Sequence, residues 1–153
     1  MSAASGTSHS KIGVRIAGTG SALPSKPLTN ADLEKVMDTT DEWIVQRTGI
    51  RTRYIADRAK GECTRTLSVT ALQRALADSH LTPHDLDLII IATMTPEMSC
   101  PPTACFVAKE IGAGFAGAFD INGACTGFIH AMNVGHDLIM GTIPTKSCID
   151  VEK

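Results

Sequence analysis

Cys125 lies within "FDINGACTGFIHAM", residues 119–132, where an apolar run gives way to a helix-like pattern. A cysteine at a strand-to-helix junction has a chemical advantage. The first helical turn offers unpaired N–H groups and the positive end of the dipole, and both favour a thiolate. Gly123, Ala124 and Gly127 are small enough to let a substrate approach the sulfur and to let the backbone turn sharply. The logic is that of a nucleophile elbow, although G-x-S-x-G is absent. The backbone N–H of Cys125 would point where an oxyanion develops. The competing reading is a small buried hydrophobe, since free cysteine is among the most often buried residue types. No local base decides between them. His130 is five residues on, about 140° around a helix, which excludes a same-face Cys–His pair. His130 and His136 read as packing or surface residues, and His80 and His84 as solvated.

Trp43 is the chain's one tryptophan, in "DEWIVQRTGIRTRYIA" (41–56), with Arg47, Arg51, Arg53 and Arg58 nearby. Trp43 and Arg47 stand at i, i+4 and share a helix face. A flat aromatic beside a guanidinium suits a purine and its phosphates; on the residues alone, a structural tryptophan with an intrahelical cation–π contact is the preferred reading. "GTGSALP" (18–24) begins like a dinucleotide fingerprint, but Leu23 holds the place of the third glycine and Pro24 follows instead of a helix. The five cysteines include no C-x-x-C pair and no Cys/His cluster with zinc spacing. No metal site is expected.

The elements that must position these residues alternate between strands and helices. Residues 11–18 read as a strand on Ile12, Val14 and Ile16, and 19–28 as a loop. Residues 29–37 read as a helix with capping spacing from Thr29 to Asp32 and a face of Leu33, Val36 and Met37. Residues 39–49 read as a second helix with a Thr39–Glu42 capping box and Gly49 as C-cap. A basic, loop-like stretch covers 49–63. A longer helix follows over 64–80, with Leu67, Ala71, Leu72, Ala75 and Leu76 on one side. Thr82 and Pro83 open a short helix. Leu88–Ala92 is continuously apolar, as central strands covered on both faces are. Helix 101–112, strand 117–121, helix 125–141 and strand 147–151 complete the pattern. The expected fold class is α/β, layered, with a mostly parallel sheet.

Composition agrees with a single folded unit. The chain has 153 residues, 43% hydrophobic and 20% charged, with net charge −2 and no block of like charges. Nothing in that balance points to nucleic acid or an anionic membrane. The longest apolar stretch, 86–92, is strand-sized. Residues 1–11 lack the apolar segment of a secretory signal and the arginines of a transit peptide, and are expected to be a disordered lead-in. An odd cysteine count without a signal points to a reducing, cytoplasmic setting.

Taken together, "TNADLEKVMDTTDEWIVQRTGIRTRYIA" (29–56), "DLIIIATMTPE" (87–97), "PPTAC" (101–105) and "AFDINGACTGFIHAM" (118–132) closely resemble the β-ketoacyl-acyl-carrier-protein synthase III family, in that order. D-E-W-I-x-x-R-T-G-I is particular to this family and absent from thiolases and elongating synthases. The resemblance runs from about Ile12 to about Gly141. It implies the N-terminal half of a thiolase-like fold, over 12–153, and a homodimer. It makes Cys125 the acyl-accepting nucleophile, and it places Thr39, Trp43 and Arg47 at positions that hold the adenine and phosphates of CoA. The family initiates type II fatty-acid synthesis. An acetyl or other short acyl group passes from acyl-CoA to the cysteine; malonyl-acyl-carrier protein is then decarboxylated and condensed to give 3-ketoacyl-acyl-carrier protein. No cofactor is implied, the CoA thioester being a substrate.

The family's histidine, in P-H-Q-x-N, and its asparagine, in G-N-T, have no counterpart among the 153 residues. The expectation is a truncated product, a fragment or a half that needs a partner, with condensation severely impaired. Cys100 stands where some relatives carry an aromatic that lines the partner's acyl pocket, which leaves primer size open. A polyketide-type starter condensing enzyme and a non-catalytic half-domain serving dimerisation are the alternatives.

Overall fold

The computed structural model describes residues 13–141 and 147–151, the last five by their backbone. The expected lead-in, 1–11, lies outside the described residues. Three parallel strands form the main sheet in the order β4-β3-β5, with β3 Leu88–Ala92, β4 Gly117–Ile121 and β5 Ser147–Val151. These are the strands expected from the sequence, with the same limits. The central strand is β3, and all five of its residues are buried. Its side chains alternate between two cores, as a period of two demands. Ile89 and Ile91 pack with Leu72 and Leu76 of α3 (Thr64–Ser79) and with Ala104, Val107 and Ile111 of α4 (Thr103–Ile111). Leu88, Ile90 and Ala92 face the other way, onto Ala131 of α5 (Gly127–Gly141), with Phe119 and Ile121 alongside.

The crossovers follow from this layering. α4 carries the chain from β3 to β4 on one face, and α5 carries it from β4 across β3 to β5 on the other. Direction and face reverse together, so both crossovers have the same hand, as parallel units require. α5 presents Gly127, Ala131 and Gly135 to the sheet at four-residue intervals. A Cβ on Gly127 would meet the Ala92 Cβ at 3.2 Å, so the helix sits close to the strand because this stripe is small.

A second, smaller sheet pairs β1 (Lys26–Thr29) with β2 (Thr52–Ile55) antiparallel, Pro27 opposite Tyr54. It frames α1 (Asn30–Leu33) and α2 (Asp41–Thr48). Lys26–Leu28 fall within the loop expected over 19–28, which holds a glycine and two prolines; a two-stranded ribbon consists of edges, where proline is tolerated.

Three expectations need correction. Residues 13–18 are not a strand; Lys11 and Ile12 lie outside the described residues. No described strand runs beside this segment to form a ladder. Just downstream the chain is tied to α3: the Thr19 N–H donates to Asp78 Oδ2 at 2.8 Å, and Arg74 Nη1 donates to the Ser21 carbonyl. Gly18 and Gly20 lie against the helix so closely that a Cβ would come 2.6 Å from the Ala75 oxygen and 2.1 Å from the Ala71 oxygen. The helix expected over 29–37 keeps its Thr29–Asp32 capping box but stops at Leu33. Val36 and Met37 find nothing to pack on and stay exposed. The helix expected over 39–49 begins at Asp41, with Thr40 rather than Thr39 as its cap: Thr40 Oγ1 accepts the Trp43 N–H at 3.1 Å. Glu34 Oε1 takes the Asp41 N–H at 2.7 Å, and with Thr40 as the cap the Thr39–Glu42 box does not form.

Candidate active site

β4 ends at Ile121, and the chain reaches Cys125 through Asn122, Gly123 and Ala124. Ala124 has φ +47°, a left-handed conformation that costs an L-residue with a Cβ roughly 1–2 kcal/mol. Residues 124–126 form a single 3-10 turn before α5 begins at Gly127. Thr126 closes that turn, its N–H and Oγ1 donating to the Gly123 carbonyl at 3.1 and 2.8 Å. Cys125 is exposed, so the buried-filler reading fails. The sulfur is carried at the carboxyl end of a parallel strand, where ligands of open α/β sheets bind. The helix starts two residues later than the sequence suggested. The sharp bend falls on Ala124 and not on a glycine.

Gly123 is fixed by its neighbours. A Cβ there would come 2.7 Å from His130 Nδ1 and 3.0 Å from the Gly127 Cα. His130 and Cys125 do not share a hydrogen bond among the described residues, as their angular separation implied. Sequence reasoning missed that His130 folds back over the elbow instead.

Asp120 is a second residue that sequence reasoning passed over. Its Oδ2 accepts the Thr103 N–H at 2.7 Å and its Oδ1 the Ala104 N–H at 2.9 Å, so a carboxylate on β4 satisfies the first amides of α4. The available signal was a charge inside the otherwise apolar strand "GAFDI". Glu97 plays a comparable part at α3: its Oε1 accepts the Arg65 N–H at 2.8 Å. Burial pushes the Glu97 carboxyl up, but the hydrogen bonds from the Arg65 amide and the Cys63 thiol outweigh it and hold the group below its ordinary range.

The second cluster stands on α2. Arg47 lies over the Trp43 ring, 5.7 Å from its centroid, and Trp43 remains 56% exposed. Ile44 turns inward from the same helix and is buried. Gly49 ends the helix at φ +72°, its N–H bonded to the Val45 carbonyl at 2.8 Å. Thr39 is half-buried on the approach to α2. Thus Trp43 and Arg47 are brought together. Among the described residues no hydrogen bond, ion pair or ring contact joins them to Cys125. The described residues contain no group of three His, Cys, Asp or Glu able to hold a metal, and no helix long and apolar enough to cross a membrane.

No family model matches the chain. Among curated proteins it is 51% identical, over 129 residues, to the β-ketoacyl-[acyl-carrier-protein] synthase III of Caldanaerobacter subterraneus subsp. tengcongensis, covering 84% of this chain and 38% of that protein. It is 49% identical over 129 residues to the enzyme of the same name from Xylella fastidiosa. Among solved structures, 3-oxoacyl-[acyl-carrier-protein] synthase III from Aquifex aeolicus superposes with a TM-score of 0.79 at 46% identity, over 83% of this chain and 40% of that one. The priming β-ketosynthase of the R1128 polyketide pathway superposes with a TM-score of 0.78 at 38% identity, over 82% and 37%. The chain therefore spans about two fifths of the length of the proteins it matches.

Proposed function

The chain belongs to the β-ketoacyl-acyl-carrier-protein synthase III family, spanning its N-terminal part, and on that premise we propose that it supplies the acyl-accepting half of an initiating condensing enzyme. Cys125 is the nucleophile. Its sulfur attacks the carbonyl of acetyl-CoA or another short acyl-CoA, a tetrahedral oxyanion forms, and the CoA thiolate leaves with the proton surrendered by the thiol. The product is an acyl thioester on Cys125, the first stage of a ping-pong exchange. Trp43 stacks on the adenine and Arg47 pairs with the phosphates, with Thr39 beside them. No cofactor enters this step. In the complete family enzyme a histidine and an asparagine from further along the sequence promote decarboxylation of malonyl-acyl-carrier protein and condensation to 3-ketoacyl-acyl-carrier protein. A homodimer working in the cytoplasm, without nucleic acid or membrane, completes the reading.

The observation that carries this proposal is the exposed Cys125 following left-handed Ala124 at the carboxyl end of β4. A buried structural thiol needs neither exposure nor a strained approach. The test is incubation of the full chain with radiolabelled acetyl-CoA and peptide mapping by mass spectrometry. Label should concentrate on Cys125 and vanish in Cys125→Ala. Equal label on Cys100 and Cys105, or label that survives Cys125→Ala, would overturn the assignment. The likeness to a polyketide priming ketosynthase favours one second reading, a starter-unit condensing enzyme. Labelling by aromatic or longer acyl-CoA but not by acetyl-CoA would select it. A Cys125 that reacts with iodoacetamide no faster than a buried thiol would leave only a dimerisation role.

A further inference from the structure

Asn30 opens α1 and is 1% exposed. A buried carboxamide is costly unless its polar atoms are matched, and here they are. Nδ2 donates to Asp41 Oδ1 at 2.6 Å and to the Ile50 carbonyl at 2.8 Å, while Oδ1 accepts from Arg53 Nη1 at 2.7 Å. The Asn30 backbone N–H donates to the Arg51 carbonyl at 3.3 Å, and its carbonyl accepts the Glu34 N–H at 3.0 Å. Asp41 is the first residue of α2, Ile50 lies just past the Gly49 cap, and Arg53 belongs to β2. One side chain thus grips both ends of a helix and the strand that follows it.

That helix has little else to fix its attitude. It has eight residues, well short of what is stable in isolation, and Ile44 is its one buried residue. Its outward face carries Trp43 and Arg47. We propose that Asn30 is a positioning residue for nucleotide binding: by clamping Asp41, Ile50 and Arg53 it sets the angle at which α2 presents Trp43 and Arg47 to CoA. This rests on the CoA-binding reading above. Only an amide fits the place. Aspartate would meet the Asp41 carboxylate and the Ile50 carbonyl with acceptors alone, and leucine would leave all three partners unmatched.

The experiment uses the full chain with two readouts, amide hydrogen exchange and CoA affinity by titration calorimetry. In Asn30→Asp, exchange over residues 41–49 should rise about tenfold while α3 and α4 keep their protection, and CoA affinity should fall about tenfold. The double variant Asn30→Asp/Asp41→Asn returns a donor to the pair from the opposite side chain, and should recover part of both losses, which a general loss of packing would not allow. If Asn30→Asp binds CoA as well as the unaltered chain while Trp43→Ala loses affinity, the positioning role is overturned and the CoA-binding reading stands. If Trp43→Ala binds CoA unchanged, that reading fails and the positioning role fails with it, whatever the exchange shows.

Discussion

Around α2 the groups that fix geometry are polar and local: Asn30, Asp41, Arg53 and Glu34 hold a short helix by hydrogen bonds of 2.6–2.8 Å. Around Cys125 they are apolar and distant in sequence. β3, buried on both faces, supports β4 and α5, and the elbow hangs between them. The difference follows from what each region has to bury. The α2 region offers one buried apolar side chain, so directional bonds must define its pose. The elbow is anchored by two cores, and that rigidity can hold Ala124 in a conformation it would not choose. A nucleophile needs a fixed trajectory; a stacking platform for a flexible nucleotide needs a fixed angle but tolerates movement.

The largest effect should come from undermining the elbow through its support. Ile91→Ala removes a fully buried side chain next to α3 and α4 and is expected to lower stability by about 3 kcal/mol, seen as a lower urea midpoint. If acyl labelling of Cys125 survives at full rate in the fraction that remains folded, the elbow is not held by its core. Trp43→Ala should do the reverse: unfolding stays within about 0.5 kcal/mol of the parent, because the ring is exposed, while CoA affinity falls about tenfold. Loss of stability larger than that would make Trp43 a packing residue after all. Ala124→Gly relieves the left-handed strain but loosens the unfolded chain, so a net gain of about 0.5 kcal/mol is expected, together with slower acylation of Cys125. A faster reaction would show that strain does not help to aim the sulfur. The smallest effect concerns pH. Glu97 is held below its ordinary value in the fold, so its contribution to stability is present above the unfolded glutamate value of about 4.3 and is lost as pH falls through the lower folded one. Glu97→Gln should flatten the acid side of the stability profile by lowering the neutral plateau slightly, so that variant and parent converge in acid, as followed by urea midpoints across that range.

Much of the layered core was legible because period and composition spoke together. The unbroken apolar run Leu88–Ala92 gave a central strand, and Gly112 gave the end of α4, where it adopts φ +86°. The errors arose where local signals depend on a partner elsewhere. Residues 13–18 alternate like a strand, but a strand exists only beside another, and from Gly18 onward the chain lies against α3 instead. Val36 and Met37 have helical spacing but no surface to cover. Of the site, the residue types at Cys125, Trp43 and Arg47 were visible in the sequence. The left-handed Ala124 was not, since alanine announces no turn. Asn30 was not either: an asparagine after a capping threonine reads as an ordinary helix start, and its bonds reach 11, 20 and 23 residues ahead.

The small stripe along α5 carries a consequence for how this molecule tolerates change. Gly127, Ala131 and Gly135 are buried, and the helix they belong to continues directly from the turn that bears Cys125. A side chain larger than alanine at Ala131, fully buried against Leu88, Ile90 and Ala92 and more than one helical turn from the sulfur, would lift the helix as a lever and shift the thiol with it. Sequence drift at positions remote from the Cys125 sulfur is therefore as restricted as drift beside it. A library of variants selected for activity should show this as an unforgiving four-residue rhythm down the helix.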